Sequence, residues 1–218
     1  MYVVMIASEC APVAKVGGLA DVVFGLSREL EIRGHAVEII LPKYDCMRDD
    51  QVWGLHVVDH ELSVPWDGGA IPCAVWFGFA HGRKCYFIEP RSAQGYFERG
   101  TYYGFWDDPE RFAFFSKAAL EFLLKSQKRP DVIHTHDWQT ALVPVLLYEI
   151  YAGAGLAHQR VCHTIHNFRH QGTTGPGILQ ATGLNRLDYF GAPDRMGDEF
   201  DRHSINLMRG AILYSNFV

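Results

Sequence analysis

At 218 residues, with 48% hydrophobic content and 20 Lys+Arg against 25 Asp+Glu for a formal charge of −5, the chain can bury a sizeable core as one domain. No basic block is available to neutralise a run of phosphates, which argues against a nucleic-acid partner. Apolar runs such as 141–148, interrupted by Pro144, fall well short of the roughly 20 residues that cross a bilayer, so no membrane span is expected.

The chain opens on YVVMIASE, an apolar and β-branched run suited to a strand buried on both faces of a parallel sheet. Strand character from the second residue leaves no charged n-region or cleavage site, and the expected location is the cytoplasm. The five cysteines (Cys10, Cys46, Cys73, Cys85 and Cys162) are odd in number and scattered, and they read as reduced, buried thiols. A glycine-bearing loop leads into a helix over 19–33, where Leu19, Val22, Val23, Leu26 and Leu30 recur at helical spacing and Gly34 supplies the C-terminal cap. Residues 36–42 complete a βαβ unit with a right-handed crossover.

Alternation over 52–64 and 71–79, with a turn at 80–83 before KCYFIE, predicts an antiparallel excursion. Asp108-Pro109-Glu110 reads as N-cap, first helical proline and first-turn acid of a helix running to about Ser126, with Phe112, Phe115, Ala119, Phe122 and Leu123 as its buried stripe. A strand at 131–136, a helix over 140–152, a strand at 160–166 and a helix over 203–214 follow. The fold class is α/β, doubly wound around a mostly parallel sheet. The final AILYSNFV passes from a helix into the start of another strand and stops there, the pattern of a chain that continues.

Ligands of such sheets bind outside the carboxyl ends of the strands, and three polar clusters fall there. The first runs from Lys15 to Asp21 and includes Gly17-Gly18, which either cradles a phosphate with backbone N–H groups at a helix N-terminus or only makes a tight strand-to-helix turn. The second is HTHDW, with His134 and His136 on one face of a strand. Asp137 and Trp138 at its exit suit sugar hydroxyls and a pyranose face, or serve as helix cap and core. The third is His166-Asn167, which bonds hydroxyls or phosphates, or shapes a turn. A metal site assembled from His134, His136, Asp137, His163 and His166 is a rival reading. Tyr96, Tyr102, Tyr103 and Trp106 either line a sugar cleft or cover the core.

Taken together, ASECAPVAKVGGLADVVFGLSRELEIRGHAVEIILPKY, YFIE with RFAFFSKAALE, DVIHTHDWQTALVP and HTIHNFRHQG resemble, in order and spacing, segments of the bacterial glycogen synthases and plant starch synthases. The resemblance covers nearly the whole chain and implies the N-terminal, Rossmann-like half of a GT-B glycosyltransferase. That half binds mainly the acceptor glucan, while a C-terminal domain carries the main nucleotide pocket. The resemblance implies a retaining transfer of glucose from ADP-glucose, or UDP-glucose, to an α-1,4-glucan, without metal or cofactor and without activity in this half alone. It also implies roles by position: Lys15, Gly17 and Gly18 toward the donor diphosphate, Asp21 orienting their loop, Asp137, Trp138 and Asn167 on glucan or donor glucose, His166 near the reacting carbon, and Tyr96 lining the cleft. Departures, Phe168-Arg169-His170 after His-Asn and Met208-Arg209-Gly210, bear on substrate preference rather than reaction class. A glucan-binding module without transferase activity and a metal-dependent hydrolase remain as alternative functions.

Overall fold

A computed structural model describes residues 1–218. Its centre is β1 (Tyr2–Ile6), whose Val4, Met5 and Ile6 are completely buried because parallel neighbours lie on both sides, β2 (Ala36–Pro42) and β6 (Val132–His136). The sheet is completed by β3 (Val52–Trp66), β4 (Gly69–Ala80), β5 (Arg83–Pro90) and β7 (Arg160–Thr164) in the order β3-β4-β5-β2-β1-β6-β7. The five strands β5, β2, β1, β6 and β7 are parallel. The antiparallel excursion is β3 and β4, which extend this same sheet to its edge.

Chain order reverses at β1: β2 lies on one side and the later β6 on the other. With right-handed crossovers, α1 (Gly18–Ile32) covers one face while α2 (Asp108–Lys125) and α3 (Leu142–Leu146) cover the other. That reversal opens a crevice above the carboxyl ends of β1 and β6. α1 stops as the sequence predicts: Gly34 takes φ +86°, its N–H bonds Glu31 O and that of His35 bonds Leu30 O, a Schellman pair.

α2 buries twelve of its 18 residues, Arg111 and Lys117 included, because it is wedged among β3, β5, α3 and α5 (Gly177–Thr182). Its cap differs from the sequence expectation. The cap position is Asp107, gripped by Arg99 at 2.6 and 2.7 Å, and Asp108 is the first helical residue, its carboxylate accepting from Gly104 N and Arg111 Nε. The helix expected over 140–152 is α3 continued by a π-helical turn, Leu147–Tyr151, and by α4 (Ala152–Ala154).

Two further corrections concern boundaries. β7 ends at Thr164, so His166 and Asn167 stand on a loop. The last helix, α7 (Leu207–Tyr214), starts four residues later than predicted, where Asn206 caps Arg209 N; residues 198–204 are instead tied in turns by the carboxylates of Asp198 and Asp201. α5 and α6 (Leu187–Phe190) and the two-stranded β8 (Thr173–Thr174) and β9 (Ile205–Asn206) are too short to show periodicity. Beyond α7, Asn216 and Phe217 bond Val161 O, and His163 N bonds Phe217 O, so the expected strand begins alongside β7.

Candidate active site

Four loops at the carboxyl edge of the sheet enclose a cleft of about 740 Å³. The loop after β1 and the start of α1 contribute Glu9 and Val16–Leu19, and the segment leading into α2 contributes Tyr103 and Gly104 with Asp108 at the helix's first position. The exit of β6 adds Asp137, Trp138 and Gln139, and the loop after β7 adds His166, Asn167 and His170. All three clusters singled out in the sequence therefore meet in one place, because each follows one of three adjacent parallel strands, β1, β6 and β7.

Asp137 is the structural hinge of the wall. Its backbone takes φ +54°, ψ −175°, a region that strains a side-chain-bearing residue by about 1 to 3 kcal/mol. The strain is held by Asp137 N bonding Thr164 O and by Oδ1 accepting from His166 N at 2.7 Å and Asn167 N at 3.2 Å. Asp137 thus occupies the cap position of the short 3₁₀ helix Trp138–Thr140 without a side-chain cap bond; its carboxylate clamps the His-Asn loop instead and keeps Oδ2 free of protein donors. Trp138 is fixed edge-on against Phe112, centroids 5.6 Å apart at 86°, and presents the rest of its indole to the cleft.

Behind this wall His134 and His136 share a face, as the two-residue strand period requires, and stack at 4.2 Å. His136 Nδ1 lies 3.1 Å from His166 Nε2, whereas His134 bonds Thr164 Oγ1 and His163 bonds Thr135 Oγ1 and Met208 Sδ. Burial pushes His134 and His163 down to about 4 and His136 well below the usual histidine range, so all three are neutral near pH 7. Their ring nitrogens turn to separate partners, and no three potential ligands converge on a common point. The donor set does not fit the metal-hydrolase alternative.

The glycine turn departs from expectation in one respect. Gly17 N is already bonded to Glu9 Oε2 at 3.0 Å, so the N–H assigned to a diphosphate is occupied by the protein's own carboxylate. Gly18 and Leu19, at the first turn of α1, line the cleft, and the preceding Gly17 offers no side-chain cap. A Cβ built on Gly18 meets nothing within 4 Å. Lys15 and Asp21 do not line the cleft; they pair with each other at 2.7 and 2.9 Å, each about half exposed. An exposed pair of this kind is worth at most about 1 kcal/mol, so an arriving phosphate can compete for Lys15.

Tyr96 is the clear correction. It does not face the cleft: it is buried, its ring lies against Phe114, and its hydroxyl donates to Glu110 Oε1. Of the four aromatics of that loop, Tyr103 is the one that reaches the cleft, and Trp106 is exposed elsewhere. Buried Arg111 sets this choice by donating to Asp108 and to the carbonyls of Tyr96 and Tyr102. Glu9, Asp108, Gln139 and His170 were not anticipated as site residues; Glu9, Gln139 and His170 lie within the segments that carry the family resemblance, and that is the sequence signal they carry.

A family model described as the starch synthase catalytic domain matches residues 2–218. Glycogen synthase 1 of Synechococcus sp. (strain JA-2-3B'a(2-13)) is 66% identical over 218 residues, which is all of this chain and 44% of that protein. Probable starch synthase 4 of Arabidopsis thaliana is 49% identical over the whole chain and 21% of its own length. The solved catalytic domain of starch synthase IV from Arabidopsis thaliana, bound to ADP and acarbose, superposes with a TM-score of 0.96 at 49% identity, covering 99% of this chain and 43% of that one. The chain thus spans less than half the length of the glycogen synthases it matches.

Proposed function

The chain belongs to the starch synthase catalytic domain family, and from that premise we propose that residues 1–218 form the N-terminal, acceptor-side half of a retaining glucosyltransferase. It moves glucose from ADP-glucose to the non-reducing end of an α-1,4-glucan, in partnership with a C-terminal GT-B domain. The observation that carries the reading is the convergence of a helix N-terminus, at Gly18 and Leu19, with Asp137, Trp138, His166 and Asn167 in one cleft. The likeness to a starch synthase catalytic domain holding ADP supports the adenine nucleotide over UDP. The proposed setting is the cytoplasm, in keeping with five cysteines that form no disulfide.

In this scheme the glucan 4-hydroxyl attacks the face the diphosphate leaves, through an oxocarbenium-like transition state, and the departing phosphate takes the hydroxyl's proton. Positioning and electrostatics supply the rate. Gly18 and Leu19 direct amide dipoles at the leaving group, with Lys15 released from Asp21 as a mobile cation. Trp138 supports the sugar face, and Asp137 Oδ2 and Asn167 accept and donate to its hydroxyls.

His166 receives its role from the ring behind it. His136 Nε2 is buried with no partner, and an N–H left there would cost more than a bare lone pair. The proton of His136 therefore sits on Nδ1 and is donated to His166 Nε2, which puts the His166 proton on Nδ1, the nitrogen without a protein partner. His166 thus enters the cleft as a donor.

Labelled ADP-glucose and glycogen test the reading with the full-length enzyme and with residues 1–218 alone. The full-length enzyme should incorporate label and the half should not. Incorporation by the half above a heat-killed control, or none by the full-length enzyme, would overturn it.

A further inference from the structure

Glu9 follows β1 and is 5% exposed, yet its carboxylate lies in the cleft wall. A buried anion beside a diphosphate site opposes the ligand unless it is engaged elsewhere. Here it is: Oε2 accepts from Val16 N at 2.6 Å and Gly17 N at 3.0 Å, and Oε1 accepts from the Tyr103 hydroxyl at 2.8 Å. That hydroxyl lies 2.8 Å from Ser8 Oγ as well, and burial, first, and the nearby Tyr44 and Glu9 hold it protonated.

One side chain therefore ties together the loop after β1 and the segment before α2, with Glu9 and Tyr103 94 residues apart in the chain. Gly17, without a side chain, cannot cap α1 itself, and Glu9 places a carboxylate at the amide of the cap residue, at the positive end of the helix. By taking up the Val16 and Gly17 amides, it leaves the glycine turn to meet a ligand through the next two residues, Gly18 and Leu19, which line the cleft.

We propose that Glu9 is a positioning residue for the donor: it takes up the first two amides of the glycine turn and, through Tyr103, fixes the turn so that the following amides meet the diphosphate. The proposal rests on the transferase reading above. A role in geometry differs in its effects from a role in charge, because glutamine keeps an oxygen for the two amides and an amide group for the Tyr103 oxygen.

The test uses the full-length enzyme with ADP-glucose and glycogen. Glu9→Ala should lower kcat/KM for ADP-glucose about 10- to 100-fold, the size of a lost bond to a charged group, and leave KM for glycogen within about twofold. Glu9→Gln should restore kcat/KM to within about threefold of wild type, and Tyr103→Phe, losing one bond, should fall between. Wild-type donor kinetics in Glu9→Ala would overturn the proposal, as would a loss shared equally by donor and acceptor that merely follows a lower Tm. A glutamine variant as impaired as alanine would make charge the agent, and a gain in donor affinity in both would make it repulsion; either result refutes positioning. Should Glu9→Ala fail to fold, Glu9→Gln and Tyr103→Phe carry the decision through donor kcat/KM. If the wild-type enzyme transfers no glucose, the functional reading falls, and Glu9 is then judged by ADP titration of the same variants.

Discussion

Gly172→Ala isolates what holds Trp138 in the cleft wall. Gly172 takes φ +66°, where an alanine costs about 1 to 2 kcal/mol. An added Cβ would lie 2.7 Å from Trp138 Cε3, 3.2 Å from Cδ2 and 3.3 Å from Leu207 Cβ, the first contact roughly 0.8 Å inside van der Waals separation. Leu207 and Phe112, both in contact range, are buried and cannot give way, so relief falls to Trp138, which is only partly buried and lines the cleft. Overpacking of this kind costs about 1 to 3 kcal/mol, for a total of about 2 to 5 kcal/mol. Urea unfolding of the variant, followed by far-UV circular dichroism, gives the stability, and titration with a malto-oligosaccharide under tryptophan fluorescence gives the glucan contact. Gly175→Ala, just past β8 with no atom within 4 Å and no left-handed φ, is the control and should lose less than about 0.5 kcal/mol. If Gly172→Ala behaves as its control does, with oligosaccharide affinity unchanged, Trp138 is not braced by this glycine and the reasoning fails.

Gly18→Val should leave the melting point nearly unchanged, since the backbone is unstrained and the space is open, while donor kcat/KM falls at least about tenfold; wild-type donor kinetics would remove α1 from the donor site. Arg111→Ala removes one of the two donors to Asp108 and leaves the carbonyls of Tyr96 and Tyr102 without their guanidinium partner, and should cost about 3 to 5 kcal/mol, which Arg111→Lys should not recover because one ammonium cannot span the three acceptors; urea midpoints for both variants check this. For His134 and His163, folded values near 4 lie below the unfolded 6.5, so the unfolded chain binds protons first and stability should fall as pH drops from about 6.5 toward 4, by at most about 3 kcal/mol for each. Urea midpoints across that window should show the decline, and His163→Gln should flatten it; an unchanged slope in that variant would count against a buried neutral imidazole.

Much of the architecture is legible in the sequence because it depends on local periodicity. The unbroken apolar run of β1 makes it central, the helical spacing from Leu19 to Leu30 with Gly34 bounds α1, and the two-residue strand period puts His134 and His136 on one face. A parallel sheet then dictates that the loops holding Gly18, Asp137 and His166 meet at its carboxyl edge. Short elements escape this reading: α6 has four residues, less than a pattern needs, and the start of α7 turns on one Asn206 side chain rather than on any repeat.

The site's finer assignments were decided by partners far apart in the chain. Tyr96 and Tyr103 are equivalent as aromatic residues of one loop; Arg111 and Glu110 draw Tyr96 inward, and Glu9 draws Tyr103 to the cleft. Asp137 sits where a helix cap is expected, but the amides of His166 and Asn167, some 30 residues on, take its carboxylate. Gly17 carries a phosphate-turn signature, and the carboxylate eight residues before it claims its N–H. Residue type and spacing restrict which groups can bond; which of them do is fixed only when folding brings donors and acceptors within about 3 Å, because a hydrogen bond's energy vanishes beyond that reach.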